Sequence, residues 1–362
     1  MKRATSKHKR LFIPGPTEVR PAIRRAMAKP LIGHRGEDFK LLYADVQSLV
    51  REILQTRQRI LIGTCAATGM MELAVRNLSC KRILSVICGA FSERCHEVAL
   101  SCGKAATSLA VEYGRANRAA SLRRHLDSGE FDLVTVVYNE TSTGVTNPLA
   151  EIAAVVKGYP GVLLAVDAVS AMAGLPLPID GWKLDFCYAG TQKCWALPPV
   201  MTMMTVSDAA LKRAAQVKDR GYYFDLLRMA EFDRDGFTNV TPNIPLFYAL
   251  RAQAKSILKT GLKHRIERHA ELGGMVRAWG RERFGLFAEP GFESNTVTCL
   301  KNSAAWNAPR FNAALASRGY VLGGGYGKLK GSTFRIAHMG DTTPKDIRKL
   351  LRLLDRLMAG KA

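Results

Sequence analysis

The stretch DFCYAGTQKCWALPPV, residues 185–200, places a single lysine, Lys193, between an apolar, strand-like run and a Pro-Pro turn. Removing a lysine from water is costly, so its ammonium either reaches solvent or a partner, or the site uses an amine that loses its proton readily. A lysine directly after a buried strand is expected at the carboxyl edge of a sheet, where α/β proteins bind ligands. From the residues alone, a Schiff-base-forming amine and a lysine that extends to the surface stay equally open.

Apolar, β-rich runs like this one recur between residues 59 and 206 and alternate with stretches of helical periodicity. The predicted strands are RILIGT (59–64), RILSVIC (82–88), DLVTVVY (132–138), VLLAVDA (162–168), DFCYAG (185–190) and VMTMMTVS (200–207). Strands that are almost wholly apolar and separated by helices indicate a parallel sheet covered on both faces. The predicted fold class is therefore α/β.

After about residue 250 the pattern changes to a long helical region, two strand-like segments and a final amphipathic helix. This order is typical of a smaller α+β domain. We predict an N-terminal arm at residues 1–20, a large ligand-binding domain at 21–250 and a small C-terminal domain at 251–362. The glycines at 323–325 are expected to form a flexible gate over the site.

The composition narrows the function classes. The chain of 362 residues has no apolar run of the length of about 18 residues that a membrane span needs, and its basic start lacks a signal-peptide core. Its eight cysteines form no CxxC pair, which argues against a zinc ribbon or other metal site and favours reduced thiols in a cytoplasmic protein. The net charge of +22 attracts anions, but the basic residues are dispersed, which favours acidic substrates over specific nucleic-acid binding.

Two further stretches carry candidate chemistry. In VDAVSA, Asp167 ends a predicted strand, where it either caps the next loop or pairs with a cationic group such as a pyridinium nitrogen. In GTCAATGMMELAV, small residues join a strand to a helix, so the backbone N–H groups near Ala66, Ala67 and Thr68 could hold a phosphate. A plain strand-to-helix turn explains the second stretch equally well.

Together these stretches resemble one family, the class-V, fold-type I pyridoxal-phosphate enzymes, and within it the alanine/serine–glyoxylate (serine–pyruvate) aminotransferase branch. The resemblance covers about residues 11–357 and is carried by FIPGPTEVRPAIRRAMAKPLIGHRGEDF, NETSTGVTNPL, LLAVDAVSAMAG, YAGTQKCWALPP and FRIAHMG. It implies a large domain with a mainly parallel seven-stranded sheet, a small C-terminal domain, pyridoxal 5'-phosphate as cofactor, and a homodimer with shared active sites.

The resemblance also implies a role for each matching residue. Lys193 would bind the cofactor as a Schiff base and move the substrate α-proton, Asp167 would pair with the pyridine nitrogen, and Arg335 would clamp the substrate carboxylate. The remaining residues would contact the ring or the phosphate: Val169, Phe91 and Thr143 at the ring, and Ala66, Ala67, Thr68, Gln192 and, from the partner subunit, Thr241 at the phosphate. The chain departs from the family at Ala66-Ala67, where Ser-Gly is usual, at Phe91, where tryptophan is usual, and at Thr238, where some members have tyrosine.

The implied activity is ping-pong transamination between a small α-amino acid, alanine or serine, and a 2-oxo acid, glyoxylate or pyruvate. Donors such as aspartate, aminophosphonates or ureidoglycine stay open. A cysteine desulfurase or related lyase is disfavoured, because loop 322–333 lacks a cysteine and Phe91 stands where those enzymes stack a histidine. A non-catalytic binding protein on the same fold is the alternative from another class, and the presence of both Lys193 and Asp167 argues against it.

Overall fold

The computed structural model describes residues 8–302 and 308–360. Residues 1–7 of the expected N-terminal arm lie outside the described residues. The strands are β1 (Arg10–Phe12), β2 (Arg59–Gly63), β3 (Arg82–Ile87), β4 (Ala105–Ala110), β5 (Phe131–Val137), β6 (Asn139–Glu140), β7 (Val145–Thr146), β8 (Leu163–Asp167), β9 (Phe186–Gly190), β10 (Thr202–Val206), β11 (Val297–Lys301), β12 (Tyr320–Gly324) and β13 (Thr333–Ala337).

The helices connect and cover these strands. They are α1 (Pro21–Met27), α2 (Glu37–Leu54), α3 (Ala67–Leu78), α4 (Ala90–Ser101), α5 (Ala119–Leu126), α6 (Leu149–Lys157), α7 (Asp208–Gln216), α8 (Leu226–Arg234), α9 (Ile244–Thr260), α10 (Leu262–Arg283), α11 (Ala308–Ser317) and α12 (Pro344–Met358). A short 3-10 helix, Gly327–Leu329, follows β12. No helix in the described part of the chain is both long enough and apolar enough to cross a bilayer.

A seven-stranded sheet in the order β2-β10-β9-β8-β5-β3-β4 forms the larger layer. Only β10 runs antiparallel to its neighbours, β2 and β9. The predicted α/β class and mainly parallel sheet are confirmed, and all six strands predicted from the sequence are present. The edge strand β4 was missed, because its sequence AATSLA is small, polar and partly exposed and so lacks the apolar signal of a buried strand.

The central strands are apolar on both faces because helices cover both sides of the sheet. On β5 and β8, Val134 and Val166 join one apolar cluster with α2 and α9, whereas Leu133 and Ala165 join another with α3 and α7. Successive side chains of a strand point to opposite faces, so this alternation follows directly from the strand geometry. Helices thus cover both faces of the sheet, and a ligand site can form only at its edges, such as the one where the parallel strands end.

The helical region predicted after residue 250 is divided into two helices. Gly261, with φ of +84°, separates α9 from α10, a conformation that glycine adopts without the steric cost other residues have. The expected boundary between residues 250 and 251 falls inside α9. The division into domains stays a prediction.

A second, four-stranded sheet lies towards the C-terminus in the order β1-β12-β13-β11, with β1 parallel to β12. Part of the N-terminal arm is therefore an edge strand of the C-terminal sheet. Gly323 and Gly324 belong to β12, and a Cβ atom on Gly323 would lie 2.7 Å from Cδ of Pro14. The structure shows strand at both positions, and close packing at Gly323, where the sequence predicted a flexible gate.

Candidate active site

Lys193 lies in the turn after β9, and its side chain is buried. Its aliphatic stem packs against Gly15, where a Cβ atom would lie 3.2 Å from the lysine Cγ, and Thr17 Oγ1 donates to the lysine carbonyl oxygen over 3.0 Å. The ammonium donates to Thr141 Oγ1 over 3.1 Å. Burial lowers the pKa of Lys193 to about 8, although the charge of Asp167 opposes the shift. The site therefore holds an amine that loses its proton near neutral pH.

Asp167 is the last residue of β8, on the strand next to β9, so it reaches the same edge of the sheet as Lys193. Its Oδ1 accepts a hydrogen bond from Val169 N over 2.9 Å, and its Oδ2 accepts one from the Tyr188 hydroxyl over 3.2 Å. Burial raises the pKa of Asp167 to about 6, while the Val169 N–H and the charge of Lys193 act in the opposite direction. A cationic partner at this carboxylate would favour its ionised form.

An aromatic wall faces the amine. The Phe91 ring centroid lies 5.2 Å from Lys193 Nζ, and the ring stacks on Tyr326 with a centroid distance of 5.1 Å and an interplanar angle of 12°. The Arg94 guanidinium lies 5.0 Å from the Phe91 centroid and donates to the Tyr326 hydroxyl. Val169, the other residue expected at a cofactor ring, is buried two positions beyond Asp167.

The hydroxyl that contacts Lys193 belongs to Thr141 and not to Thr143, the residue expected at the cofactor ring. Thr141 lies on the turn after β6, and its hydroxyl both accepts from Lys193 and donates to Ser170 Oγ over 2.9 Å. Thr143, two residues further round the turn, is fully buried, and its hydroxyl has no hydrogen-bond partner in the described residues. The structure therefore puts a different hydroxyl of the same motif at the amine.

Arg335 is buried on β13, with its guanidinium anchored to the backbone. Its Nε donates to the Gly324 carbonyl over 2.9 Å and its Nη1 to the Thr141 carbonyl over 3.2 Å. Nη2 makes no hydrogen bond to the described residues, which leaves donors for a ligand. Burial lowers the pKa of Arg335, but the group stays charged because its ordinary pKa is so high.

The proposed phosphate-binding residues surround the start of α3. The first N–H groups of α3 lack intrahelical acceptors, as in any α-helix, and no side chain at Ala66 caps them. Ala66 and Thr68 are exposed, and Gln192 is half-buried beside Lys193. Thr241 is exposed ahead of α9 and makes no hydrogen bond within the described residues, so the structure does not join it to the rest of the site in one chain.

These groups suit pyridoxal phosphate. They include a low-pKa amine, a buried carboxylate, an aromatic face, a free helix N-terminus and, at Thr143, a buried hydroxyl without a partner. The cofactor's aldehyde, pyridine nitrogen, ring and phosphate call for these partners. No group of three or more potential metal ligands occurs among the described residues.

Four residues of the site were missed from the sequence: Thr141, Glu140, Tyr326 and Arg94. The carboxylate of Glu140 is fully buried under the Phe91 backbone, at 0% exposure. A charged residue within the otherwise apolar and hydroxyl-rich YNETSTG segment was the available signal for Glu140. The sequence carries no such signal for Tyr326 or Arg94, because their contacts join segments far apart in the chain.

Comparisons with known proteins agree with this geometry. Residues 24–278 match the family model described as Aminotransferase class-V. The chain is 35% identical to an uncharacterized aminotransferase of Methanocaldococcus jannaschii, over 94% of this chain and 90% of that protein. It is 31% identical to serine–glyoxylate aminotransferase of Methylorubrum extorquens, over 91% of this chain and 86% of that protein.

A solved structure of similar shape is an aspartate aminotransferase of subgroup IV from Thermus thermophilus. It superposes with a TM-score of 0.90 at 28% identity, over 98% of this chain and all of that one. The fold is that of pyridoxal-phosphate-dependent transferases. The chain belongs to the class-V aminotransferase family, whose members use this cofactor.

Proposed function

We propose that this enzyme transfers an amino group from a small α-amino acid, alanine or serine, to a 2-oxo acid, glyoxylate or pyruvate, by a ping-pong mechanism. The observation that carries the proposal is the meeting of three groups: the low-pKa amine of Lys193 and the buried carboxylate of Asp167 at one edge of the large sheet, and Arg335, which reaches the Thr141 carbonyl from β13 and has donors to spare. The serine–glyoxylate relative supports the choice of donor and acceptor.

When bound, pyridoxal phosphate supplies an electron sink that stabilises negative charge at the substrate Cα. Arg335 would bind the substrate α-carboxylate through its free donors and so orient the Cα–H bond. The neutral amine of Lys193 would take the Cα proton and return it to the ring-side carbon on the other side of the nitrogen, as a general base and then a general acid. Asp167 would accept a hydrogen bond from the pyridine nitrogen and keep its proton in place.

The proposed cofactor contacts beyond these three residues follow the resemblance. Phe91 and Val169 would lie on the two ring faces and Thr143 beside the ring; Ala66, Ala67, Thr68 and Gln192 would bind the phosphate. Because the structure places the Thr141 hydroxyl on the amine, we add Thr141 to this set. The hydroxyl chain from Lys193 through Thr141 to Ser170 supports this, since it fixes where the amine points.

We also propose a homodimer in which Thr241 of each chain reaches the phosphate bound by the other. Thr241 is exposed in one chain and lacks a hydrogen bond within the described residues. Large apolar side chains are also exposed, with Leu31 at 71% and Leu41 at 62%.

Half-reactions test the proposed function directly. Enzyme loaded with cofactor is mixed with one amino acid at a time, without an oxo acid, and the visible absorbance is followed. We expect alanine or serine to bleach it and glyoxylate or pyruvate to restore it. If no α-amino acid changes the spectrum of the loaded enzyme, transamination is the wrong activity.

Aspartate is a second candidate donor, favoured by Arg94. This arginine stands beside the Phe91 ring and Tyr326, and no carboxylate lies within 4.0 Å of it in the described part of the chain. Arg335 lies 5.6 Å from the same Tyr326 ring. Two arginines flanking one ring could bind the two carboxylates of a dicarboxylic donor. The subgroup IV aspartate aminotransferase of similar fold supports this candidate.

The Arg94→Gln variant separates the two donor classes. If Arg94 binds a side-chain carboxylate, the half-reaction rate with aspartate should fall about tenfold, because a charge-assisted hydrogen bond is lost, while the rate with serine stays within about twofold. Arg94→Lys, which keeps the charge, serves as the matched control and should lose less. Equal rate losses with aspartate and serine would show that Arg94 does not bind the side chain of the substrate.

The Arg335→Lys variant tests the α-carboxylate clamp. Lysine keeps the charge but cannot form the paired, planar contact, so KM for the amino donor should rise about tenfold or more with a smaller change in kcat. Arg318→Lys, at an exposed position beyond α11, is the control and should leave both constants unchanged. An unchanged KM in Arg335→Lys would place substrate recognition elsewhere.

A further inference from the structure

The most deeply buried carboxylate near the site, that of Glu140, has no counter-ion. Glu140 is the last residue of β6, and no Lys, Arg or His nitrogen of the described residues lies within 4.0 Å of its side chain. A buried carboxylate without a cation has to be stabilised by hydrogen-bond donors. The positions of those donors indicate what the residue does.

Three backbone N–H groups converge on this carboxylate. Phe91 N donates to Oε1 over 3.3 Å, Ser92 N to Oε2 over 3.0 Å and Ser142 N to Oε1 over 3.1 Å. The hydroxyls of Ser92 and Ser142 add contacts of 3.0 and 2.6 Å. Since N–H groups can only donate, the ionised, acceptor-only side chain is the form that satisfies all of them.

These donors belong to the two segments that contact Lys193. Phe91 and Ser92 are in the first turn of α4, so the carboxylate binds the positive end of the helix that carries the aromatic wall. Ser142 lies on the turn that carries Thr141. Glu140 thus links the Phe91 ring, 5.2 Å from the amine, to the Thr141 hydroxyl, 3.1 Å from it.

The side chain of Glu140 packs closely against the start of α4. A Cβ atom on Gly89, the residue before α4, would lie 2.4 Å from Cγ of Glu140. The helix start therefore approaches the glutamate side chain as closely as the backbone of glycine allows. The negative charge of Glu140 also acts on the site. It adds to the rise in the pKa of Asp167 and partly opposes the lowering of the pKa of Lys193 by burial.

We propose that Glu140 is a positioning residue that fixes the Phe91 ring and the Thr141 hydroxyl in register with Lys193, and so sets how tightly the cofactor is held. The proposal rests on the proposed function only in placing the cofactor against Phe91. Glu140 would act before any substrate binds, so its effect on cofactor affinity can be measured without turnover.

Cofactor affinity of the Glu140→Gln variant is the test. Glutamine keeps the size but replaces one acceptor oxygen with an NH₂ that faces N–H donors, so the dissociation constant for pyridoxal phosphate should rise about tenfold. Glu93→Gln, on the same helix but paired with Lys328 and Tyr113, is the matched control and should stay within about twofold. Fluorescence titration of the cofactor-free protein gives both values.

A double-mutant cycle with Phe91→Ala separates positioning from a general loss of structure. If Glu140 acts through the ring, the Glu140→Gln change should weaken binding less than about twofold once Phe91 is alanine. In addition, the pH at which the lysine-bound cofactor changes its spectrum should move down, because a nearby negative charge is gone. An undiminished effect in the Phe91→Ala background, or unchanged affinity in Glu140→Gln, overturns the proposal.

Ser142→Ala covers the case in which Glu140→Gln does not fold. It removes the hydroxyl that donates to Glu140 and accepts from Ala90 N over 2.9 Å, and the dissociation constant should rise about threefold. Unchanged affinity in this folded variant would equally overturn the proposal. Wild-type protein that binds cofactor but transaminates nothing would contradict the proposed function alone, since affinity is measured without substrate.

Discussion

Lys193→Ala is expected to abolish transamination, with a loss in kcat of at least about 10³-fold, because the variant lacks the group proposed to attach the cofactor and to act as general base. The visible absorbance of the lysine-bound cofactor should disappear with it. The buried position and the lowered pKa, about 8, would make this lysine reactive at a pH at which surface lysines are protonated. Borohydride reduction of the loaded wild type, followed by mass spectrometry, should place the cofactor on the peptide that contains residue 193.

The control for this variant is Lys212→Ala, an exposed lysine on α7, which should retain full activity and the full absorbance. Attachment of the cofactor to wild-type protein should accelerate as pH rises from about 7 to 9, because the reactive form of Lys193 is the neutral amine. A cofactor adduct on another lysine, or an active Lys193→Ala variant, would remove the basis of the proposed chemistry.

Asp167→Asn is expected to have the second-largest effect. Asparagine has nearly the same shape but no charge, so a pyridine nitrogen opposite it would lose its proton and the cofactor would lose much of its electron demand. Breaking a buried charge pair costs about 3–5 kcal/mol, which corresponds to roughly 10²- to 10⁴-fold in rate. Single-turnover half-reactions, which are free of product release, measure this loss directly.

The sign of the pKa shift sharpens this prediction. Without a cationic partner, burial raises the pKa of Asp167 to about 6. A positive ring nitrogen would stabilise the carboxylate and lower that value, so binding of the cofactor should release protons at pH values near 6 in wild type. Asp167→Asn should bind cofactor without this release. Tyr188→Phe, which removes only the weaker hydroxyl contact, is the control and should keep most of the rate.

The sequence was sufficient for the sheet and for the three principal groups of the site. Lys193 and Asp167 stand after or at the end of strands with a clear apolar pattern, so their place at the sheet edge follows from strand direction. Arg335 lies within β13 of the other sheet, and only the family resemblance indicated it. The meeting of Lys193 and Asp167 could be predicted because neighbouring parallel strands end at one edge. The edge strand β4 lacked that pattern and was missed.

The choice between Thr141 and Thr143 could not be made from the sequence, because both hydroxyls belong to one short turn and side-chain direction there depends on the turn's backbone path. Glu140 and Tyr326 were missed for a related reason. Each contacts Phe91 or its backbone across a large sequence separation, and no local pattern encodes such a pairing. Tertiary packing determines these contacts.

The pairing of β1 with β12 has a consequence for biosynthesis. Gly15 and Thr17, which enclose Lys193, directly follow a strand whose partner, beginning at Tyr320, is synthesised only after the whole seven-stranded sheet. A nascent polypeptide therefore lacks this enclosure of the amine until β12 has been synthesised. The pocket is thus completed after the sheet that carries it, and deletion of β1 or of β12 should leave the vitamin B6 aldehyde poorly retained.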